Sequence, residues 1–339
     1  MTKRRGGAGR PSIAGIAAAA GVSPTTVSHA LSGRRAVSKE TRERVLAEIE
    51  RQNYRPNLVA RGLRRRQTQS VALLVADLAN PYYPVVARAI HDVLAAEGYV
   101  SFLGNTDGDA GSERTLLEEM AARSVDGIIM QPMGMSVTDV REAVGPAMPL
   151  VAITNGAGDA SVDQVCTDDA HGIAEAVAYL AEKGLDELGF VGGPRNAPPG
   201  PSRLAAFRSA AEEAGLTVPP QWIEHTSFTR DGGPTAAARL FARAGRPRAV
   251  LCANDLIAIG VLDAARRAGL RVPEDVAVVG FDDIETADLV TPRLTTVLNP
   301  AAAVGEACAR TMLRRLERGP RPPYERVVLP TRLTVRQSA

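Results

Sequence analysis

Ile13, Ile16, Ala17 and Ala20 recur at i, i+3, i+4 and i+7, which puts them on one face of a short helix closed by Gly21. A second helix follows at once: Ser23 is a capping residue, Pro24 suits a first turn, and Val27 with Leu31 forms an inward stripe. That leaves Thr25, Thr26, Ser28 and His29 facing outward from its N-terminal half. Ser38 caps a third helix, Lys39 to about Gln52, whose Val45, Leu46 and Ile49 close a three-helix core with Tyr54. Pro56 and Asn57 start a further helical segment, but to Arg64 it makes only about two turns, too few to stand alone in water.

After the polar joint Gln67 to Ser70 the pattern changes. Short β-branched or apolar runs at 70–76, 99–104, 127–131, 150–154, 188–192, 249–253 and 276–281 read as strands, most of them separated by helical patterns. Residues 326–336 also read as strand, with no heptad zipper following. Strands alternating with helices imply parallel sheets covered on both faces, whose ligands bind beyond the carboxyl ends of the strands. The residues at those ends are polar: Asp77 and Asn80, Asn105 and Thr106, Gln131, Asn155, Asn254 and Asp255, Asp282 and Asp283. Turn and cap preferences favour Asn and Asp at such places, so each alone has a local explanation. Together with Tyr82, Tyr83 and Phe228 they suit a polyhydroxylated ligand, gripped by paired hydrogen bonds and an aromatic face.

Charge separates the two parts. Residues 1–70 carry 15 Lys and Arg against four Glu, and the remainder 25 against 34. A basic head on an acidic body indicates that one end meets a polyanion, and with no aromatic-rich amphipathic helix beside the charge, nucleic acid is favoured over a membrane surface. Thr25, Thr26, Ser28 and His29 are then placed to touch base edges, although the Thr26 hydroxyl suits a phosphate equally. Arg34 and Arg35, beside Gly33, suit backbone contacts, as do Arg64 to Arg66. The basic N-terminal stretch lacks the apolar core of a secretory signal, so a cytoplasmic location is expected. Cys166, Cys252 and Cys308 are too scattered for a disulfide framework or a zinc site.

The order Ser-Ile-Ala at 12, Ala-Gly-Val-Ser at 20, Thr-Val-Ser at 26, Tyr-Arg-Pro-Asn at 54 and Ala-Arg at 60 resembles the headpiece of the lactose-repressor (LacI/GalR) family of bacterial transcription regulators. The resemblance continues at 75–83, 202–207, 252–260, 271–284 and 291–297, and so covers essentially the whole chain. It implies an all-α helix-turn-helix headpiece plus an α/β periplasmic-binding-protein-like body of two doubly wound parallel-sheet subdomains. The implied divisions are a disordered basic tail 1–11, a DNA-binding domain 12–55, a hinge helix and linker 56–69, and an effector-binding and dimerisation body 70–339. Within the body, an N-subdomain would take about 70–166 and 298–325, and a C-subdomain about 167–297 and 326–339. On the same grounds Thr25, Thr26 and His29 would read bases in the major groove, Leu63 would wedge open a base step, and Asn57, Ala60 and Arg61 would line the minor groove. Tyr82, Tyr83, Arg203, Phe228, Asn254, Asp282 and Asn299 match effector contacts, with Asp169 as a further candidate. Departures are Gly62 inside the hinge helix, Ile153-Thr154-Asn155, where many members have Ile-Asp-Arg, Gly184-Leu185, where many have Gly-His, and the proline-rich loop Gly192 to Pro201. The function implied is a repressor whose operator affinity is set by a small effector, a sugar or sugar derivative, acting as a homodimer on a roughly palindromic duplex. Neither a cofactor nor a metal is called for.

Two other classes compete. The pairs Asp168-Asp169 and Asp282-Asp283 could support acid–base or metal chemistry, but no GxxxxGK[ST], GxSxG or HExxH motif accompanies them, and the four histidines lie far apart. A transport-type solute receptor shares the body's architecture, and the missing export signal and the basic head argue against it.

Overall fold

A computed structural model describes residues 12–32, 35–54, 67–154, 161–243 and 245–339. The chain divides into two compact units, between Thr68 and Gln69.

The first unit holds three helices: α1 (Ile13–Ala20), α2 (Pro24–Ser32) and α3 (Lys39–Arg51). Ser12 caps α1 by accepting from Gly15 N, and Gly21 closes it with φ of 65°, a left-handed conformation that glycine adopts without strain. Ser23 and Ser38 cap the other two, accepting from the N–H groups of Thr26 and Thr41. The core is small: Ile16, Ala17, Ala20, Val27, Ala30 and Val45, with Ile13, Val22, Ile49 and Tyr54 packed at its edge. Two expectations fail here. Leu31 and Leu46 are 37% and 43% exposed; Ala30, one residue before Leu31 and about 100° around its helix, fills the core in its place, while Val45, also expected there, is fully buried. A core built from alanines brings the helices close and leaves room for only one narrow stripe from each. The tail 1–11 and all but the last residues of the hinge region 56–69 lie outside the described residues.

The second unit contains two six-stranded sheets. The first lobe's sheet has the order β11-β5-β4-β3-β1-β2, all pairings parallel. Its strands are β1 (Ser70–Val75), β2 (Val100–Asn105), β3 (Gly127–Met130), β4 (Leu150–Ile153), β5 (Asp163–Asp168) and β11 (Arg326–Pro330). The helices α4 (Tyr82–Ala96), α5 (Ala110–Ala122), α6 (Val137–Val144) and α12 (Ala301–Arg318) cover it. The second lobe's sheet runs β12-β10-β9-β8-β6-β7. It comprises β6 (Leu188–Gly192), β7 (Ile223–His225), β8 (Ala249–Cys252), β9 (Ala277–Asp282), β10 (Thr295–Leu298) and β12 (Arg332–Thr334), the last antiparallel to β10. Its helices are α7 (Asp169–Glu182), α8 (Gly200–Glu213), α9 (Gly232–Phe241), α10 (Asp255–Arg267) and the single turn α11 (Thr286–Leu289). Both sheets are buried on two faces, so their central strands are continuous apolar runs such as Val71 to Val75 and Ala277 to Phe281.

The chain crosses between lobes three times: from β5 into α7, from β10 into α12, and from β11 into β12. The third crossing differs from the expected boundary, because residues 326–330 pair with β5 in the first sheet and only 332–334 join the second. A run that reads as one strand is divided between two sheets by Thr331. That residue ties two crossings together: its hydroxyl donates to Asp168 O at 2.6 Å and accepts from Gly172 N at 3.0 Å. Gly172 has to be glycine, since a Cβ there would collide with Val297 and Thr331.

One buried ion pair closes the back of the first lobe. Arg315 of α12 and Asp163 of β5, 3% and 1% exposed, meet in a two-pronged pair at 2.6 and 2.7 Å. Arg315 also donates to Gly319 O and Pro323 O, while Asp163 accepts from Glu325 N, so the loop leading into β11 is fastened by the same pair. Among the described residues no helix is long and apolar enough to cross a membrane.

Removing one partner of a buried pair leaves the other charge uncompensated. Arg315→Ala is therefore expected to destabilise the second unit by about 3–5 kcal/mol, read from urea unfolding. Arg293→Ala, which breaks only an exposed 3.6 Å pair with Asp288, should stay under about 1 kcal/mol. Equal effects from both would remove Arg315 from this role.

Candidate functional site

The carboxyl ends of both sheets open on one cavity of about 350 Å³. The first lobe supplies Asp77 and Asn80 after β1, Tyr82 and Tyr83 from the start of α4, Asp107 after β2, and Gln131 and Met133 after β3. The second supplies Arg203 from α8, Phe228 after β7, Asn254 after β8 and Asp282 at the end of β9, with Asn299 at the second crossing. Strand polarity accounts for the convergence: each parallel strand delivers its C-terminal loop to the same end of its sheet.

Arg203, 5% exposed, organises the second-lobe wall. Its Nε donates to Asp169 Oδ2 at 2.8 Å and its Nη1 to the Ala253 carbonyl at 2.6 Å; Asp282 Oδ1 lies 3.8 Å from Nη1. The guanidinium stacks 3.6 Å from the Phe281 ring centroid. Burial works against the Arg203 charge, and the adjacent carboxylates of Asp169 and Asp282 outweigh it. From Asp282 a hydrogen-bond chain runs across the lobes: Asn299 Nδ2 donates to Asp282 Oδ1 at 3.1 Å, and the Tyr82 hydroxyl donates to Asn299 Oδ1 at 3.3 Å. Burial pushes the Asp282 carboxyl up to about 6, against the pull of Arg203 and of the Asn299 hydrogen bond. Burial, then the Asp282 charge, also holds the Tyr82 and Tyr83 phenols well above their ordinary range. Behind this wall Asp255 accepts from Thr296 Oγ1 and Ile284 N, and burial followed by the nearby Asp282 charge raises its carboxyl strongly.

The loops are held by local bonds. Glu113 of α5, fully buried, accepts from three successive amides, Met133 N at 2.7 Å, Gly134 N at 3.1 Å and Met135 N at 2.7 Å, and so fixes the loop that carries Met133 into the cavity. Gly193 lies under the Phe228 ring, where any Cβ would strike the aromatic carbons, and Asn254 Nδ2 donates to the Phe228 carbonyl at 3.0 Å.

Seven of the eight effector candidates, Tyr82, Tyr83, Arg203, Phe228, Asn254, Asp282 and Asn299, line this cavity. Asp169 does not line it and reaches it through Arg203. Among the other strand-end polar residues, Asp77, Asn80 and Gln131 line it too. Asn105, Thr106, Asp255 and Asp283 do not: Asn105 accepts from Leu78 N, Thr106 from Gly108 N, and Asp283 pairs with Arg336 at 2.7 Å. For these four the local reading of turn and support is the one observed. Asn155 lies outside the described residues. Sequence reasoning passed over Asp107, Met133, Ser227 and Thr229, all of which line the cavity, as do Pro194, Pro198 and Pro199 of the proline-rich loop. Asp107 was legible, two residues past a strand end; Met133 was not, because its position depends on Glu113 twenty residues earlier.

In the first unit, α2 shows Thr25 exposed and Thr26, Ser28 and His29 half-buried on its outer side. The Thr26 hydroxyl sits 2.9 Å from Ser23 Oγ, inside the cap. Arg35 is exposed; Arg34, Asn57, Ala60, Arg61 and Leu63 lie outside the described residues.

Comparison with known proteins places both units. The family described as "Bacterial regulatory proteins, lacI family" matches residues 12–57, and "Periplasmic binding protein-like domain" matches residues 177–339. The HTH-type transcriptional repressor PurR of Escherichia coli is 35% identical over 311 residues, 90% of either chain. Among solved structures, a complex of the transcriptional regulator CelR with cellobiose is 30% identical, with a TM-score of 0.74 over 97% of this chain and 100% of that one. The Lac repressor dimer bound to operator and the anti-inducer ONPF, 23% identical, shares the fold with a TM-score of 0.88 over 97% and 98%.

The raised Asp282 carboxyl gives a signed prediction. Its acidity falls from a pKa of 3.8 to about 6 on folding, so the folded state holds the proton more tightly. The stability this group contributes is complete below about pH 4 and is lost as pH rises through about 6, an effect of at most about 3 kcal/mol. Asp282→Asn cannot ionise, so the melting temperature of the variant minus that of the parent should grow more positive between about pH 5 and pH 7.5. A flat difference across that range, measured by scanning calorimetry, would show that Asp282 is not held protonated by the fold.

Proposed function

The chain belongs to the lacI family of bacterial regulatory proteins, and on that footing we propose that it is a sequence-specific DNA-binding repressor controlled by a small effector in the interlobe cavity. The observation that carries the reading is the hydrogen-bond chain Tyr82–Asn299–Asp282, which passes from the first lobe through a crossing to the second at the wall of the cavity. A molecule bound there contacts both lobes and therefore binds one lobe arrangement better than another. Its relatives are transcriptional regulators, PurR a repressor and CelR captured with cellobiose, which supports a sugar or sugar derivative as effector.

The working unit is a dimer on a roughly palindromic operator. Edge strand β2 supports this reading: Val100, Phe102 and Leu103 are 56%, 45% and 50% exposed, an apolar edge of the kind that proteins normally cover. In each headpiece α2 enters the major groove, where Thr25, Ser28 and His29 read base edges. Thr26, its hydroxyl shared with the cap, serves base or phosphate, and Arg34 contacts the backbone. The segment carrying Asn57, Ala60, Arg61 and Leu63 takes the minor groove, Leu63 as the wedge. Effector binding changes the spacing of the two headpieces and with it the fit to both half-sites, a coupling of about 1–3 kcal/mol in systems of this type.

Selection from random duplexes, followed by gel-shift titration, tests the reading. The protein should select a two-fold symmetric sequence and lose affinity steeply with salt, since several phosphate contacts per head release counterions. Thr25→Ala should weaken the selected sequence about ten-fold and leave non-specific binding unchanged. Failure to enrich any sequence would sink the proposal.

A further inference from the structure

Where the second unit begins, one residue is held in a backbone conformation that side chains seldom adopt. Gln67 and Thr68 are exposed, Gln69 is half-buried, and β1 starts at the buried Ser70. Gln69 has φ of 53°, in the left-handed region, where a residue with a Cβ is strained. Such strain persists only where the neighbours over-determine the backbone.

Two neighbours do so here. β1 lies between β2 and β3 in the first sheet, and each side takes one backbone group of Gln69. On the β2 side, Val100 N donates to the Gln69 carbonyl at 2.8 Å. On the β3 side, the register with β1 starts only at Val71 and Gly127, one residue too late for Gln69. The carboxylate of Asp126, just before β3, takes that place: Gln69 N donates to Asp126 Oδ2 at 2.7 Å, while Asp126 N donates to Ser70 O at 2.8 Å. An N–H bond to a carboxylate at this length is among the stronger kinds. The turn that delivers Asp126 is itself constrained, with Ser124 at φ of 58° and Val125 packed in the core.

The bond from Asp126 reaches 57 residues back along the chain, to the residue through which everything N-terminal is attached. Residues 55–68 connect Tyr54, packed on the core of the first unit, to Gln69. A backbone rotation at Gln69 carries all of the chain before it. Two heads on a two-fold operator have to be held in register with both half-sites, and a looser tether lowers the effective concentration of the second head once the first is bound. A single head on a single half-site does not need that register.

On the repressor reading above, we propose that Asp126 is a positioning residue for operator binding: through the Gln69 amide it fixes how the chain enters the second unit, and so raises the effective concentration of the second head at its half-site. Asp126→Ala should lower affinity for the selected two-fold operator at least about ten-fold and leave affinity for a duplex carrying one half-site within about two-fold of the parent, both read by gel shift. Asp126→Asn, which keeps an acceptor oxygen, should bind the operator within about three-fold of the parent. Site-resolved hydrogen exchange supplies the structural readout: the Gln69 amide is protected in the parent and exchanges freely in Asp126→Ala, while Val71 to Val75 stay protected. Equal losses on operator and half-site, no loss on the operator, or an Asn variant as weak as the Ala variant overturns the assignment. Loss of protection along β1 overturns it too, since Asp126 would then be a support of the sheet. The parent's operator binding is the reference in the same titration, so an Asp126→Ala variant that binds as the parent does defeats this inference alone and leaves the repressor reading standing.

Discussion

A guanidinium taken almost wholly out of water has to be matched, and the way Arg203 is matched determines much of what the second unit can do. Its partners come from three places: Asp169 opens α7 just past the first crossing, Ala253 ends β8, and Asp282 ends β9. Burying a charge costs several kcal/mol unless geometry and further hydrogen bonds recover it. Here the recovery is uneven. Asp169 sits at contact distance, while Asp282 stands 3.8 Å away and is itself pushed toward neutrality. The second-lobe wall therefore holds one firmly paired acid and one poorly satisfied acid, and the poorly satisfied one is bonded through Asn299 to Tyr82 of the other lobe.

The pair at the far side of the first lobe makes an instructive contrast. Arg315 and Asp163 meet through two short bonds, and the remaining donors and acceptors are taken by backbone groups of residues 319–325. Nothing there is left for a ligand to satisfy, so that end is a fixed joint. Glu113 is equally complete, with three amides on one carboxylate. The cavity wall differs: at the strand ends Gln131 Oε1 has no partner and Asp282 stands between charge states. A ligand that completes these groups binds the folded state and so stabilises it.

The architecture was legible because both periodicities are strong: apolar runs for doubly covered strands, and 3.6-residue spacing for helices. The seven strands read from sequence lie within about one residue of those observed, an error normal for element ends. What escaped were β10, Thr295 to Leu298, four residues long, and elements without an apolar run of their own. β5, Asp163 to Asp168, has four polar residues in six, Asp163 among them serving Arg315; β7 is only three residues long. β12 was hidden inside an apparent single strand whose two halves join different sheets. In the site, residues directly after strands could be found by counting, and Asp77, Asn80 and Gln131 were. The same counting selected Asn105, Thr106, Asp255 and Asp283, which support loops instead, because spacing fixes which end of a sheet a residue occupies and not which way its side chain turns. In the head, Leu31 and Leu46 misled for a related reason: apolarity marks a candidate for the core, but an alanine-built core has room for few of them.

The scale of these interactions bears on the proposed regulation. Allosteric coupling of about 1–3 kcal/mol is the size of one buried acceptor gaining its donor, or of one carboxylate shifting by a unit or two in pKa. Asp282 and Gln131 belong to opposite walls of the same cavity, one ending β9 of the second lobe and the other following β3 of the first. A ligand that satisfies both at once favours the lobe separation at which both are in reach. On the proposed reading, a choice between two lobe arrangements needs no more than a few hydrogen bonds at the strand ends, with the three crossings as the places where the lobes are joined.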